Sequence, residues 1–432
     1  MKNRCLAILL LLFVFSASIV GQPSRMTNIR TYKITMKLDT ISRRIAIRNE
    51  IDVEKVDTNR NPRLFLSSFI QIDSAIVNGR KLYLSRVGDT LCLHIGILKK
   101  SKLTFWYSIP IDSFIYDKAI VLTRGMKWCP YLHDNISVLN SEVTVPAGYK
   151  VYSSGTLASK SADSDNITYK YSNRINSGLP FIIAPIDYYS ETTKYQNGFS
   201  IDYCFLNKDT SLQNSIIKES LSALNFCSSY IGNYKQKQLT YIEVPNFGSA
   251  QSLETFIMMS SDFIKYFGLS QSMRFWVAHE TIHQWIGVGY FNSIYTTPRY
   301  GTFIEESLTE YMRYVYIEKT FGQDSIASQI KYVVNIYNTE IKGTDQDVLC
   351  SDNSPGRVIY CNAPLIFHVL RINIGDVKWQ SFIRKLYSDN YGRGIGYDDF
   401  KHTLEHYANY TVIEQMEKYI NSKGIPDKIV NK

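Results

Sequence analysis

The stretch HETIHQWIG, residues 279 to 287, constrains this chain more than any other. His279 and His283 stand four apart with Glu280 directly after the first, the H-E-x-x-H pattern. On an α-helix that spacing puts both imidazoles on one face about one turn apart, where they can share a tetrahedral metal ion, and zinc suits such donors. Glu280 would then face a water activated by the ion. The bland alternative is a pair of helix-surface histidines beside an ordinary glutamate. The local pattern predicts a helix from about Ser272 to Ile286, capped by Ser270 or Ser272 and stopped at Gly287.

Two histidines leave a catalytic zinc one protein ligand short, because such a site usually keeps three and leaves a position open. The missing donor should come from a nearby helix. FIEESLTEYMRYVYIEK offers Glu305 and Glu306, either of which would complete a His, His, Glu set. Glu310 lies one turn beyond Glu306 on the same face and could orient a ligand histidine from behind.

A chain of 432 residues is long for one core, and two or three domains are expected. From Tyr32 to about Tyr189 the sequence alternates apolar and polar residues and is rich in β-branched ones, as in TYKITMKLDT, RRIAIRNEIDVEKV and KLTFWYSI. Asn78-Gly79 reads as a hairpin turn. This predicts an all-β domain over residues 27 to 190, a sandwich or a curved saddle of sheets. Within it SKSADSD, 159 to 165, reads as a polar loop tip. Near residue 208 the period changes to that of a helix. A strand is expected in QLTYIEVPNF, a helical stretch from about Ser252 to Phe267, and mainly helix from Phe303 onward. Residues 191 to 432 thus form a second domain, and the fold class is α+β.

The first 21 residues have the form of a secretory signal: Lys2 and Arg4, an apolar run from Leu6 to Phe15, then small residues to Gly21. An exported chain is expected, either free or associated with a surface. No later segment is long and apolar enough to span a bilayer. The formal net charge of +9 is spread along the chain without basic blocks, which argues against a nucleic-acid partner. Six cysteines follow the signal; Cys350 and Cys361 flank a polar loop and are the best candidates for a disulfide, with buried thiols as the alternative.

Taken together, these motifs resemble the aminopeptidase-N-type gluzincin zinc metallopeptidases. That family's H-E-x-x-H-Q-W-[FW]-G stretch corresponds to HETIHQWIG, and its N-E-G-[FL]-A-like helix to EESLTEY. The resemblance implies a saddle-shaped β domain followed by a thermolysin-like, mainly α-helical catalytic domain. It implies one zinc ion per chain held by His279, His283 and Glu306, with Glu280 as general base and a peptide or protein as substrate. VIYCNAPLIFHVLRINIG is similar to the family's tyrosine segment and places Tyr360 where a hydroxyl would donate to the developing oxyanion.

The sequence departs from that pattern in three places. Between His283 and Glu306 lie 22 residues, a longer connection than the family usually has, which an insertion in GYFNSIYTTPRYG would accommodate and which leaves Glu305 open as the ligand. Where the family has G-x-M-E-N, this chain has Gly248, Ser249, Ala250 and Gln251. An uncharged Gln251 would hold a substrate's terminal ammonium less strongly than a glutamate. The large helical domain that covers the cleft in longer relatives has no counterpart after Tyr360. The expectation is a zinc metallopeptidase, aminopeptidase-like with weakened amino-terminal anchoring; the alternative is a non-catalytic binding protein that retains the fold.

Overall fold

The computed structural model describes residues 27–55, 61–95, 98–132, 137–175, 179–245, 247–248, 250–292, 298–344 and 358–430. The expected signal segment, Ser249 and Cys350 lie outside the described residues. The fold is α+β, with a large sheet-rich N-terminal region and a helical C-terminal part. It divides into two compact units. One holds Pro23–Asp209 together with Gln236–Lys265, and the other holds Thr210–Lys235 and the chain from Tyr266 onward.

The strand-rich unit is built around an eight-stranded sheet. Its central strands, Thr27–Asp39, Arg44–Lys55 and Lys100–Pro110, run antiparallel, while Ser137–Pro146 joins Thr27–Asp39 in parallel. Arg44–Lys55 shows why the period-two pattern is obeyed: Ile45, Ile47, Ile51 and Val53 are buried, whereas Arg44, Arg48 and Asp52 face solvent. Asn78 and Gly79 both have positive φ, at 47° and 81°, and turn the chain between Ile72–Val77 and Arg80–Lys81 as a two-residue hairpin requires.

A four-stranded sheet, ordered Tyr149–Ser153, Phe181–Pro185, Ala119–Leu122 and Ile115–Tyr116, is buried on both faces. Ile120, Leu122, Phe181 and Ile183 enter the core of the large sheet. Their neighbours Ala119, Val121, Ile182 and Ala184 enter a second core with Ile242, Val244, Phe256 and Met258. The second core belongs to a five-stranded sheet in which Phe199–Phe205, Gln238–Val244 and Phe256–Ser260 run parallel.

Two segments differ from the sequence reading. Helix is confined to Ser261–Phe267, and the region before it is a hairpin, Ala250–Leu253 paired with Phe256–Ser260 around Thr255 at a φ of 59°. Short apolar runs such as FIMM do not distinguish strand from helix by period, and here burial in a parallel sheet decides. Residues 159 to 162 are not a loop either. Thr156–Ala162 is an edge strand paired with Asn166–Ile175, and all of its side chains are exposed. An edge strand has little apolar content to announce it when neither face is covered.

Among the described residues the helical unit has eight principal helices: α1 (Thr210–Tyr230), α2 (Gln271–His283), α3 (Leu308–Phe321), α4 (Gln323–Ile336), α5 (Ala363–Ile374), α6 (Asp376–Asn390), α7 (Tyr397–Glu405) and α8 (Tyr410–Asn421). Glu219 on α1 is buried and receives hydrogen bonds from Arg274 on α2, at 2.7 Å, and from the Tyr316 hydroxyl on α3, at 2.6 Å. That shared carboxylate ties together the three helices that carry or flank the H-E-x-x-H stretch. Cys92, Cys129, Cys204 and Cys227 are free thiols.

Candidate metal centre

Helix α2 begins at Ser270, whose hydroxyl accepts from the Met273 amide, and ends at His283, three residues before the expected Ile286. The chain turns out of the helix through Gln284–Ile286. Gln284 and Trp285 are both secured in this unit: the Tyr234 hydroxyl donates to Gln284 Oε1 at 3.1 Å, and the Trp285 indole donates to the Gly232 carbonyl at 2.7 Å. Gly287 has a φ of 87° and lies under Glu305, whose Cγ would stand 2.6 Å from any β-carbon built there. Neither the turn nor that contact admits a side chain at 287.

His279, Glu280 and His283 are all buried. Their partner Glu306 lies on a π-helical turn, Phe303–Ser307, directly before α3. The wider turn separates the two candidate glutamates: Glu305 packs over Gly287, and Glu306 reaches the histidines. Glu306 Oε2 lies 3.6 Å from His279 Nε2 and 3.4 Å from His283 Nε2.

Ring orientation follows from what stands behind each imidazole. His279 Nδ1 is 3.0 Å from Glu310 Oε2. His283 Nδ1 is 3.1 Å from the Ile286 carbonyl and 3.2 Å from Thr309 Oγ1, whose own proton goes to the Glu305 carbonyl at 2.7 Å. Each Nδ1 therefore carries the proton and donates it to oxygen, which leaves both Nε2 lone pairs facing each other across 3.0 Å. Two lone pairs and a carboxylate oxygen, all within 4.8 Å of one another, converge on one point. They repel unless a cation sits among them, and two imidazole nitrogens with one carboxylate form a donor set that fits catalytic zinc.

In the metal-free pocket a proton takes the cation's place. Burial pulls the His279 imidazole down, but hydrogen bonds to Glu306 and Glu310 overcome it and carry the group up to about 10. For His283, burial also works downward and is outweighed mainly by the charge of Glu306. Burial pushes the Glu306 carboxyl up, yet His283 and His279 hold it well below the usual carboxylate range. Glu310 is brought to about 2, with burial opposed chiefly by Arg313 and then by His279. The pocket is a concentration of negative charge in which protons and a metal ion compete for the same nitrogens.

Tyr360 also sits on a π-helical turn, Val358–Asn362, before α5. The two π-turns are joined where Ser307 Oγ donates to the Ile359 carbonyl at 2.8 Å. The Tyr360 hydroxyl donates to Glu306 Oε2 at 2.7 Å, and burial, reinforced by that carboxylate, pushes the phenol well above its ordinary value. Glu280 contributes charge to His279, His283 and Tyr360 alike. π-turns are rare and often mark functional sites; two of them present the groups that meet the α2 histidines.

Gly248, Ala250 and Gln251 belong to the strand-rich unit; Gly248 has a φ of 77°, and exposed Gln251 lies on the edge strand opposite Met258. Glu243 accepts the Leu206 and Asn207 amides, and Glu254 accepts from Gln236. His402 and His406 meet edge to face on an exposed surface and form no three-donor group among the described residues. Sequence reasoning passed over Thr309 and Arg313. Arg313 donates to Glu310 through Nε at 2.9 Å and also through Nη2. Its signal was the acid-base spacing of three along a helix, which in most proteins means only a surface pair.

No protein-family model matches the chain, and no curated protein matches it in sequence. Solved structures do match in fold. An M1 zinc metallopeptidase from Deinococcus radiodurans superposes with a TM-score of 0.74 at 14% identity, over 95% of this chain and 97% of that one. A mutant of the M1 zinc metallopeptidase from the same organism, bound to a Tyr-Ser-Ala substrate, gives 0.71 at 12% identity, over 93% and 96%. A mutant two-domain M1 zinc metallopeptidase bound to L-tryptophan gives 0.70 at 12% identity, over 94% and 96%. Along nearly its whole length, then, this chain has the fold of the M1 zinc metallopeptidases.

Proposed function

We propose that the chain is a zinc-dependent metallopeptidase. The observation that carries this is the convergence of His279 Nε2, His283 Nε2 and Glu306 Oε2, with Glu280 on the same helix and the Tyr360 hydroxyl beside them. The structures the chain resembles in fold are zinc metallopeptidases, one of them with a bound Tyr-Ser-Ala substrate, and they support the same reading. Zinc bound by the three ligands supplies a Lewis acid that polarises a carbonyl and makes water acidic near neutral pH. Glu280 takes the proton from the attacking water and passes it to the leaving amine. Tyr360, kept protonated by burial, donates its hydroxyl hydrogen to the oxygen that gains charge as the carbonyl becomes tetrahedral.

Gln251 in place of an acid favours weak anchoring of a substrate's amino terminus, and we read the first 21 residues as an export signal. Fluorogenic peptides with free and with blocked amino termini separate the alternatives. Cleavage of the free form alone marks an aminopeptidase, and cleavage of both marks an endopeptidase. Zinc bound without cleavage of either would leave a binding protein. Glu280→Gln should retain zinc and lose roughly 10²-fold or more in kcat; unchanged hydrolysis by that variant would refute the mechanism.

A further inference from the structure

Consecutive residues of α3 support both histidines, Thr309 behind His283 and Glu310 behind His279, but the two supports differ in kind. His283 rests on neutral oxygens. His279 rests on a carboxylate that is itself held by Arg313, which is buried with it. The Arg313 guanidinium lies 5.2 Å over the Phe275 ring, contributed by α2, and 5.0 Å over the Tyr314 ring. It is thus fixed by two aromatic faces as well as by the carboxylate. A planar cation in a rigid slot presents its fork in one orientation only.

We propose that Arg313 is a positioning residue for the metal: through two hydrogen bonds to Glu310 it locks the carboxylate that fixes the tautomer and tilt of His279. This rests on the metal-site reading above. Without Arg313 the buried Glu310 carboxylate would turn toward other donors, and His279 would lose the acceptor that holds its Nε2 lone pair on the shared point. Phe275 belongs to the same helix as the two histidines, so the slot also registers α3 against α2.

The test measures zinc affinity of metal-free protein by competition with a chromophoric chelator. It is run on the wild type, Arg313→Met, Arg313→Lys, Glu310→Gln and the double variant, with far-UV circular dichroism as a check on folding. Arg313→Met and Glu310→Gln should each weaken zinc binding by ~10- to 100-fold, the loss usual for groups behind a metal ligand. Lysine keeps the charge but not the fork and should recover only part of the loss. The double variant, which strands no buried charge, should bind as weakly as Glu310→Gln and no more weakly, because Arg313 acts only through Glu310. The cobalt-substituted form of Arg313→Lys should show a shifted d–d spectrum, which a merely structural arginine would not produce. If Glu310→Gln weakens zinc and Arg313→Met does not, the role of Arg313 is refuted while that of Glu310 stands. Additive losses in the double variant would refute it as well; if Arg313→Met alone fails to fold, Arg313→Lys decides the matter, since wild-type zinc affinity in that variant would refute the role. Wild-type protein that binds no zinc would instead overturn the metal-site reading itself.

Discussion

At the scale of single residues, two substitutions separate chemistry from architecture. Tyr360→Phe removes the hydroxyl and keeps the ring. It should lower kcat by about 10²-fold with KM and zinc content nearly unchanged, measured by steady-state kinetics and metal analysis. Gly287→Ala acts on structure. Its β-carbon would meet Glu305 at a backbone φ of 87°, so it should cost roughly 1 kcal/mol or more, seen as a lower Tm. The sequence made the first of these residues legible only through a family pattern, since a tyrosine alone usually means packing. The glycine's reason lies in Glu305, eighteen positions away, and no local rule connects the two.

At the scale of elements, legibility followed periodicity. Strands of the large sheet such as Arg44–Lys55 place their apolar residues at every second position, and α2 announces itself by a capping serine and a histidine pair. Ser270→Ala should therefore lower stability by ~1 kcal/mol, read from the midpoint of urea unfolding. The strand Phe256–Ser260 was not legible, because an apolar run buried on both sides carries no period. The π-turns were not legible either. Nothing in FIEES or VIYCN marks the widened turn, yet the turn decides which glutamate reaches the histidines. The ion pair behind His279 lies between these cases, visible as a spacing but not as a buried fork.

At the scale of the molecule, the acidic centre couples folding to solution conditions. Glu310 titrates near 2 when folded and near its ordinary 4.5 when unfolded. Its contribution to stability is thus complete above about 4.5 and is lost as pH falls toward 2. Urea midpoints of the metal-free protein should drop through that window, and Glu310→Gln should flatten the slope there even though it is less stable at neutral pH. Metal binding acts in the same direction. Removal of zinc by a chelator should lower Tm, and added zinc should restore it in proportion to the logarithm of its free concentration.

The four-stranded sheet that feeds side chains alternately into two cores has a consequence for how the strand-rich unit opens. Neither core can be exposed to water without uncovering Ala119–Leu122 and Phe181–Pro185, so local fraying cannot reach these amides. They should be the slowest in the unit to exchange with deuterium, vanishing together and only by global unfolding, while amides of the edge strand Thr156–Ala162 exchange early. The middle layer would then report the free energy of the whole unit in a single measurement.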